Sequence, residues 1–464
     1  MAHKVAIIGS GIAGLGAAHA LQGRADITLL EAGSYFGGHT HTVDVTLPDA
    51  SGSPVHWGVD TGFLVFNERT YPQLISLLAS LGVATVKSDM SFSVQAHDAS
   101  GQRPVCWSGT DLNGLFAQRS NLWSPRFWGM LRDLLRFNAL TTRLALQGSD
   151  AQMQQTLGDF LAEHRFGQAF REWYFMPMMA CIWSCPTAQM LQFPVATMVR
   201  FCHNHGLLQV TNRPQWWTVQ GGARHYVQAI TALVADKRLN SPVHGVRHDP
   251  EAFGGRGGVR VHTPAGEELF DRVILATHSD QALALLGDAS AAERAALGAI
   301  GYQPNEAVLH TDTAVMPPQR AAWASWNYER APSTAQEDAR VCLHYWINQL
   351  QPLPFAQDVI VSLNPVRPIA EDKVLQRIHY AHPVFDLAAM QAQKQMAALQ
   401  GQHGRYFAGA WMGYGFHEDG LQAGRRAAEQ LLRDMGRAAS TAAAQPARSG
   451  AVPAATAQVA GALA

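Results

Sequence analysis

Three glycines in the stretch Gly9-Ser10-Gly11-Ile12-Ala13-Gly14 have the spacing of a loop that cradles a pyrophosphate. Gly9 permits a tight turn, Gly11 lets the backbone reach the diphosphate, and Gly14 allows a helix to pack closely on a strand. Glu31 lies seventeen residues past Gly14. A carboxylate there bonds both hydroxyls of a ribose and repels a 2′-phosphate, which argues against NADP. Six residues further on stands a second pair, Gly37-Gly38. Such a pair lets another backbone segment approach the same diphosphate, a need of FAD more than of NAD.

The elements that must position these groups are legible. Val5 to Ile8 is a short apolar run that reads as a buried parallel strand feeding the loop. Leu15, Ala18 and Leu21 recur at helical spacing behind it, so the helix N-terminus meets the phosphates. A second strand, Asp26 to Leu30, ends at Glu31.

With 464 residues the chain exceeds one ordinary domain. Charged residues are only 15%, which points to much buried surface or a large apolar cavity. Lys+Arg 35 against Asp+Glu 36 leaves a net charge of -1, so nothing favours nucleic acid. Five scattered cysteines suit free thiols in a reducing compartment. Neither a signal peptide nor a run of eighteen apolar residues is evident, and the expectation is a cytoplasmic protein, with the inner membrane face as a further location.

Glu31 followed by Gly37-Gly38 resembles the flavin-containing amine oxidase and phytoene desaturase superfamily, in which an E-x5-G-G-R segment follows the dinucleotide loop. His39 stands where that family has Arg. The resemblance extends over nearly the whole chain except the tail. Asp60, Gly62 and Phe63 match a segment that passes the flavin, and Gly221-Gly222 match paired glycines before a helix. Val243 takes the place of the strand whose backbone clamps the adenine. Ala276-Thr277 match the end of a return strand near the diphosphate. Phe407-Ala408-Gly409 match the closing strand, and Asp419-Gly420-Leu421 the helix start facing the flavin's pyrimidine edge. Ala410 replaces the acidic residue that commonly follows that strand. Either Glu418 or Asp419 substitutes for it, or Asp419 is only an N-cap.

The resemblance implies an α/β fold. A Rossmann-like FAD-binding domain would be assembled from residues 1–86, 205–285 and 400–436, with a mixed α+β substrate domain from 87–204 and 286–399. The composition after 437 suggests a disordered tail over 437–464. The implied cofactor is FAD, held non-covalently because the closing segment has no Cys. Its expected contacts are Gly9, Gly11, Ile12, Ala13, Gly14, Glu31, Ala32, Gly37, Gly38, His39, Thr40, Gly62, Phe63, Val243, Ala276, Thr277, Gly409, Asp419, Gly420 and Leu421.

The inserted segments must choose the substrate. Trp173 to Val199 carries no charge and is broken by Pro177, Pro186 and Pro194. It reads as the wall of an apolar tunnel, with ordinary core as the plainer alternative for any one residue. Arg119 to Leu144 combines five arginines and one acid with Trp123, Phe127 and Trp128. It reads either as a helix with a solvated basic face or as a peripheral contact with an anionic membrane. Cys181, Cys185 and Cys202 lack zinc spacing, so no metal is expected. Amine oxidases of the family often place a Lys near the flavin N5, and none of the five lysines falls in a segment that matches that site. Trp411, Tyr414 and Phe416 are expected either as aromatic walls over the flavin or as packing beneath the closing loop, with His417 as a proton relay or a turn histidine. The function this implies is FAD-dependent dehydrogenation of an apolar, lipid or fatty-acyl substrate. An oxygen-dependent amine oxidase and a non-catalytic flavin-binding protein are the alternatives.

Overall fold

The computed structural model describes residues 3–97, 104–148, 155–183, 190–204, 206, 214–331 and 340–444. Cys185, Pro186 and the part of the expected tail from 445 onward lie outside them.

Strand Lys4–Ile8 is the centre of a five-stranded sheet. Its neighbours are Asp26–Leu30 on one side and Arg272–Leu275 on the other, with Asp236–Arg238 and Arg405–Phe407 at the edges. Every pairing is parallel. The register sets Ile8 opposite both Leu30 and Leu275, and Leu275 opposite Phe407. Gly9, Glu31, Ala276 and Ala408 therefore leave the sheet along one edge. The carboxyl edge of a parallel sheet is where such folds bind ligands.

Helix Ile12–Leu21 follows the loop, and helix His417–Ala444 closes the chain against it. Their approach depends on missing side chains. A Cβ on Gly424 would lie 1.9 Å from the Ala13 carbonyl oxygen, and one on Gly420 2.7 Å from Ile12 Cγ2. The closing helix starts at His417, two residues before the expected Asp419. It also runs to Ala444, past the expected boundary at 437. Val243 lies in an irregular link between strands Asp236–Arg238 and Gly245–Asp249 rather than in a strand.

A seven-stranded sheet built from Phe92–His97, Pro104–Ser108 and strands between Tyr302 and Pro383 carries the second core. Helix Pro125–Gln147 packs on this core through Phe127, Met130, Phe137 and Leu144. The described parts of the charge-free run, 173–183 and 190–199, belong to the same core rather than to a tunnel wall. Phe175, Met179, Met190, Val195 and Met198 are fully buried. Such a run has no polar face to leave in water, so it fills the space between helix and sheet. Among the described residues no helix is long and apolar enough to cross a membrane.

Candidate functional site

At the carboxyl edge of the parallel sheet the glycines divide into two kinds. Gly9 has φ +97, and a Cβ there would meet the Ala276 carbonyl oxygen at 2.7 Å. A Cβ on Gly14 would lie 1.9 Å from the Gly9 carbonyl oxygen. These two are required by the protein's own backbone. Gly11 is different: a Cβ there would meet nothing within 4 Å. It faces open space at the N-cap of helix Ile12–Leu21, which has no side-chain cap to cover its first N–H groups. Gly38 closes the other side, since a Cβ on it would lie 3.1 Å from the Gly11 Cα. Two backbone segments thus converge around a space rimmed by free amides, which fits a diphosphate.

Ser10, which the sequence reading passed over, ties these parts together. Its backbone N–H and hydroxyl both donate to Glu31 Oε2, at 2.9 and 2.6 Å, and its Oγ accepts from Gly37 N–H at 3.1 Å. The second Glu31 oxygen accepts from Gly33 N–H at 2.8 Å. Asn240 and Ser241 donate to the carbonyls of Gly33 and Glu31, which brings the link containing Val243 beside the acid.

At the other end, the His417 ring stacks on Phe63 with centroids 3.8 Å apart. Its Nε2 is paired with the Tyr226 hydroxyl at 2.6 Å, and Tyr226 in turn bonds the Thr40 hydroxyl. Burial pushes the His417 pKa down to about 3. A neutral imidazole already paired through Nε2 is an orienting group and a poor base. The low pKa and the pairing with Tyr226 favour an orienting role over that of a base.

Trp411 takes the packing alternative. It is buried, and its indole N–H donates to the Thr277 carbonyl at 3.0 Å, so it packs beneath the closing loop. Tyr414 is half-buried and lies against the second core, and Phe416 stacks on Phe201 with centroids 4.7 Å apart. Neither acid of the closing segment is free. Glu418 is buried and accepts from Gln73 and Leu74 N–H, capping helix Pro72–Ser80. Asp419 accepts from Tyr414 and Phe416 N–H inside the first turn of its own helix, and burial raises its pKa to about 6. Asp60 is spent likewise: both its oxygens accept from Ala223 N–H, and Thr42 and Gln351 also donate to it. Burial raises its pKa to about 6.

Between the two ends lies a cluster that the sequence did not announce. The His39 ring stacks on Tyr380 at 4.8 Å, with His382 at 5.3 Å and His278 at 6.3 Å. His39 Nε2 is buried without a hydrogen-bond partner. Burial lowers the pKa of all three imidazoles, and neighbouring imidazoles lower those of His39 and His382 further. An orphaned ring nitrogen beside the Gly37-Gly38 turn is a hydrogen-bonding group awaiting a partner. Tyr380 and His382 come from strand Val374–Pro383, more than 300 residues from His39, so only the tertiary structure assembles them.

The description "flavin containing amine oxidoreductase" belongs to a family model that matches residues 12–432. The chain belongs to this family. It is a flavin-dependent oxidoreductase. No curated protein sequence matches it significantly. The fold of this flavoprotein is similar to solved structures of low identity. One is the CLA-producing fatty acid isomerase from P. acnes, with TM-score 0.61, 15% identity, and coverage of 92% of this chain and 98% of that one. Another is cyclohexylamine oxidase from Brevibacterium oxydans IH-35A, with TM-score 0.64, 15% identity, and coverage of 94% and 100%. A third is putrescine oxidase bound to putrescine, with TM-score 0.64, 16% identity, and coverage of 93% and 99%. At these identities the likeness concerns the fold. In this flavin-dependent oxidoreductase two of the lysines, Lys373 and Lys237, are engaged away from the histidine cluster. Lys373 pairs with Asp312 and Lys237 with the Val234 carbonyl.

Proposed function

We propose that the chain binds FAD non-covalently and dehydrogenates a carbon–carbon bond of an apolar, acyl-chain substrate. In this reading the diphosphate lies on the amides of Gly11, Ile12, Ala13 and Gly14, with Gly37, Gly38, His39 and Thr40 opposite. Glu31 and Ala32 hold the adenosine ribose, and the backbone at Val243 meets the adenine. Gly62, Phe63, Ala276, Thr277 and Gly409 border the cofactor. The helix start at His417 to Leu421 turns its positive end toward the flavin ring. When bound, the flavin supplies the hydride acceptor, N5. The protein's residues orient the substrate and keep water out.

One observation carries the substrate class. His417 stacks on Phe63 and bonds Tyr226, Phe416 beside it stacks on Phe201, and the neighbouring carboxylates Asp60, Glu418 and Asp419 are each occupied by backbone N–H groups. An ammonium substrate needs a free acceptor to replace its water; an acyl chain does not. The fold itself admits both chemistries, since structures similar to it include a fatty acid isomerase and amine oxidases. Acid precipitation of the purified protein should release FAD into the supernatant. Under anaerobic conditions, saturated or monounsaturated acyl lipids should bleach the bound flavin. Rapid bleaching by small amines, with none by lipids, would replace this reading by an amine oxidase. A flavin bleached by neither, yet reduced normally by dithionite, would favour a binding protein.

A further inference from the structure

Helix Pro125–Gln147 has two apolar faces, and only one of them is used by the fold. Phe127, Met130, Phe137 and Leu144 enter the second core. Trp128, Leu135 and Leu146 point the other way, 51%, 59% and 69% exposed. At 100° per residue these three fall within one narrow stripe, well away from the core face. Leu122 and Trp123, 39% and 86% exposed, extend the stripe beyond the helix N-terminus. The Trp128 indole N–H donates to the Leu122 carbonyl at 3.0 Å, so the two parts are continuous. Six of the ten exposed large apolar side chains among the described residues fall between Leu112 and Leu146. That is a clustered patch, not the scatter expected of an ordinary surface.

Charge chooses the occupant. Arg132 and Arg143 are exposed and border the stripe, and Arg119 lies exposed near its start, whereas Arg126 lies on the opposite side of the helix in a cleft shared with Glu172. Arg136 is not free: it donates to the His164 carbonyl and lies over the Phe166 ring. The only acid between Leu112 and Gln147 is Asp133, which is buried and accepts from Gly167 N–H at 2.8 Å. A second copy docked face to face would set arginines against arginines and offer them no carboxylate. A surface of anionic headgroups over acyl chains satisfies both the arginines and the tryptophans.

We propose that Trp123, Trp128, Leu135 and Leu146 seat this protein in the interface of an anionic bilayer, with Arg119, Arg132 and Arg143 on the headgroups. The proposal concerns binding alone and does not depend on which substrate is oxidised. The helix lies in the membrane plane, since its opposite face is fixed to the core.

The flavin-loaded protein is mixed with vesicles of phosphatidylcholine alone or with phosphatidylglycerol, and bound protein is read by sedimentation. Binding should be about tenfold tighter with phosphatidylglycerol at low ionic strength and should weaken as salt is added. Arg132→Ser with Arg143→Ser should remove most of that preference. Trp123→Ser with Trp128→Ser should weaken binding to both vesicle types and abolish quenching of tryptophan fluorescence by brominated acyl chains. These side chains are exposed, so flavin content and melting temperature should match the parent. Absence of binding to phosphatidylglycerol vesicles overturns the proposal. Binding that the folded double variants leave unchanged overturns it equally. So does retained quenching in the tryptophan variant. An acidic protein that binds this face while vesicles do not would assign it to a protein partner instead.

Discussion

The edge of the parallel sheet and the outer face of helix Pro125–Gln147 both lie on elements that are apolar on their inner side. They record function in different ways. At the sheet edge the backbone does the work: Gly9 and Gly14 have no room for a Cβ, and Gly11 faces empty space. On the helix the backbone is ordinary, and only the exposure of Trp128, Leu135 and Leu146 marks it. Close approach of backbones restricts residue type at fixed positions, so it writes a spacing into the sequence. A surface patch needs only apolar atoms in roughly the right direction. Its sequence resembles that of a helix buried on both sides.

The sharpest test of this contrast substitutes two glycines of one loop. Gly14→Val should destroy both fold and flavin binding, because its Cβ would start 1.9 Å from the Gly9 carbonyl oxygen. Gly11→Val should remove flavin while leaving a folded protein with nearly the parent's melting temperature, because its Cβ meets no protein atom. If Gly11→Val retains full flavin absorbance, the open space at that loop is not the cofactor's.

A second test addresses the core beneath the helix. Met179 is fully buried in the second core, so Met179→Ala should cost about 2–5 kcal/mol in urea unfolding. A change below ~0.5 kcal/mol would mean that the charge-free run lines open space after all.

The desolvated imidazoles predict a pH dependence. Burial holds His310 and His382 at about 4 and His417 at about 3, against 6.5 for a free histidine. They are neutral in the fold and take up protons on unfolding. Their contribution is fully present above pH 6.5 and is lost as pH falls towards 4. Asp60 and Asp419, raised to about 6 from 3.8, act in the opposite direction over pH 6 to 3.8, but are fewer. Stability should therefore fall below pH 6.5, and His382→Gln should make the fall shallower by up to ~1.4 kcal/mol per pH unit. An unchanged slope would show that His382 is solvated.

The smallest expected effect is at Glu418. Glu418→Gln keeps the shape but weakens the caps on Gln73 and Leu74 N–H, costing about 1 kcal/mol with flavin content unchanged. Loss of flavin with an unchanged melting temperature would return Glu418 to the cofactor contacts.

What the sequence by itself determined is the local grammar of the dinucleotide end. Strand, glycine loop, helix, second strand and Glu31 occur within thirty residues, and the hydrogen bonds that define them are short in range. Even there Ser10 was missed, because a serine between two glycines looks like a spacer until its hydroxyl is seen joining Glu31 to Gly37. The acids of the closing segment misled for a related reason. Glu418 sits in the first turn of a helix that would welcome a carboxylate, yet it caps a helix 345 residues away in sequence. Only the tertiary structure decided that the described parts of the charge-free run fill a core, that Trp411 is buried, and that His39, His278, Tyr380 and His382 meet. Periodicity fixes which residues share a face, but not what that face meets. Desolvation, which sets the protonation of every imidazole in the cluster, depends on atoms brought from distant parts of the chain.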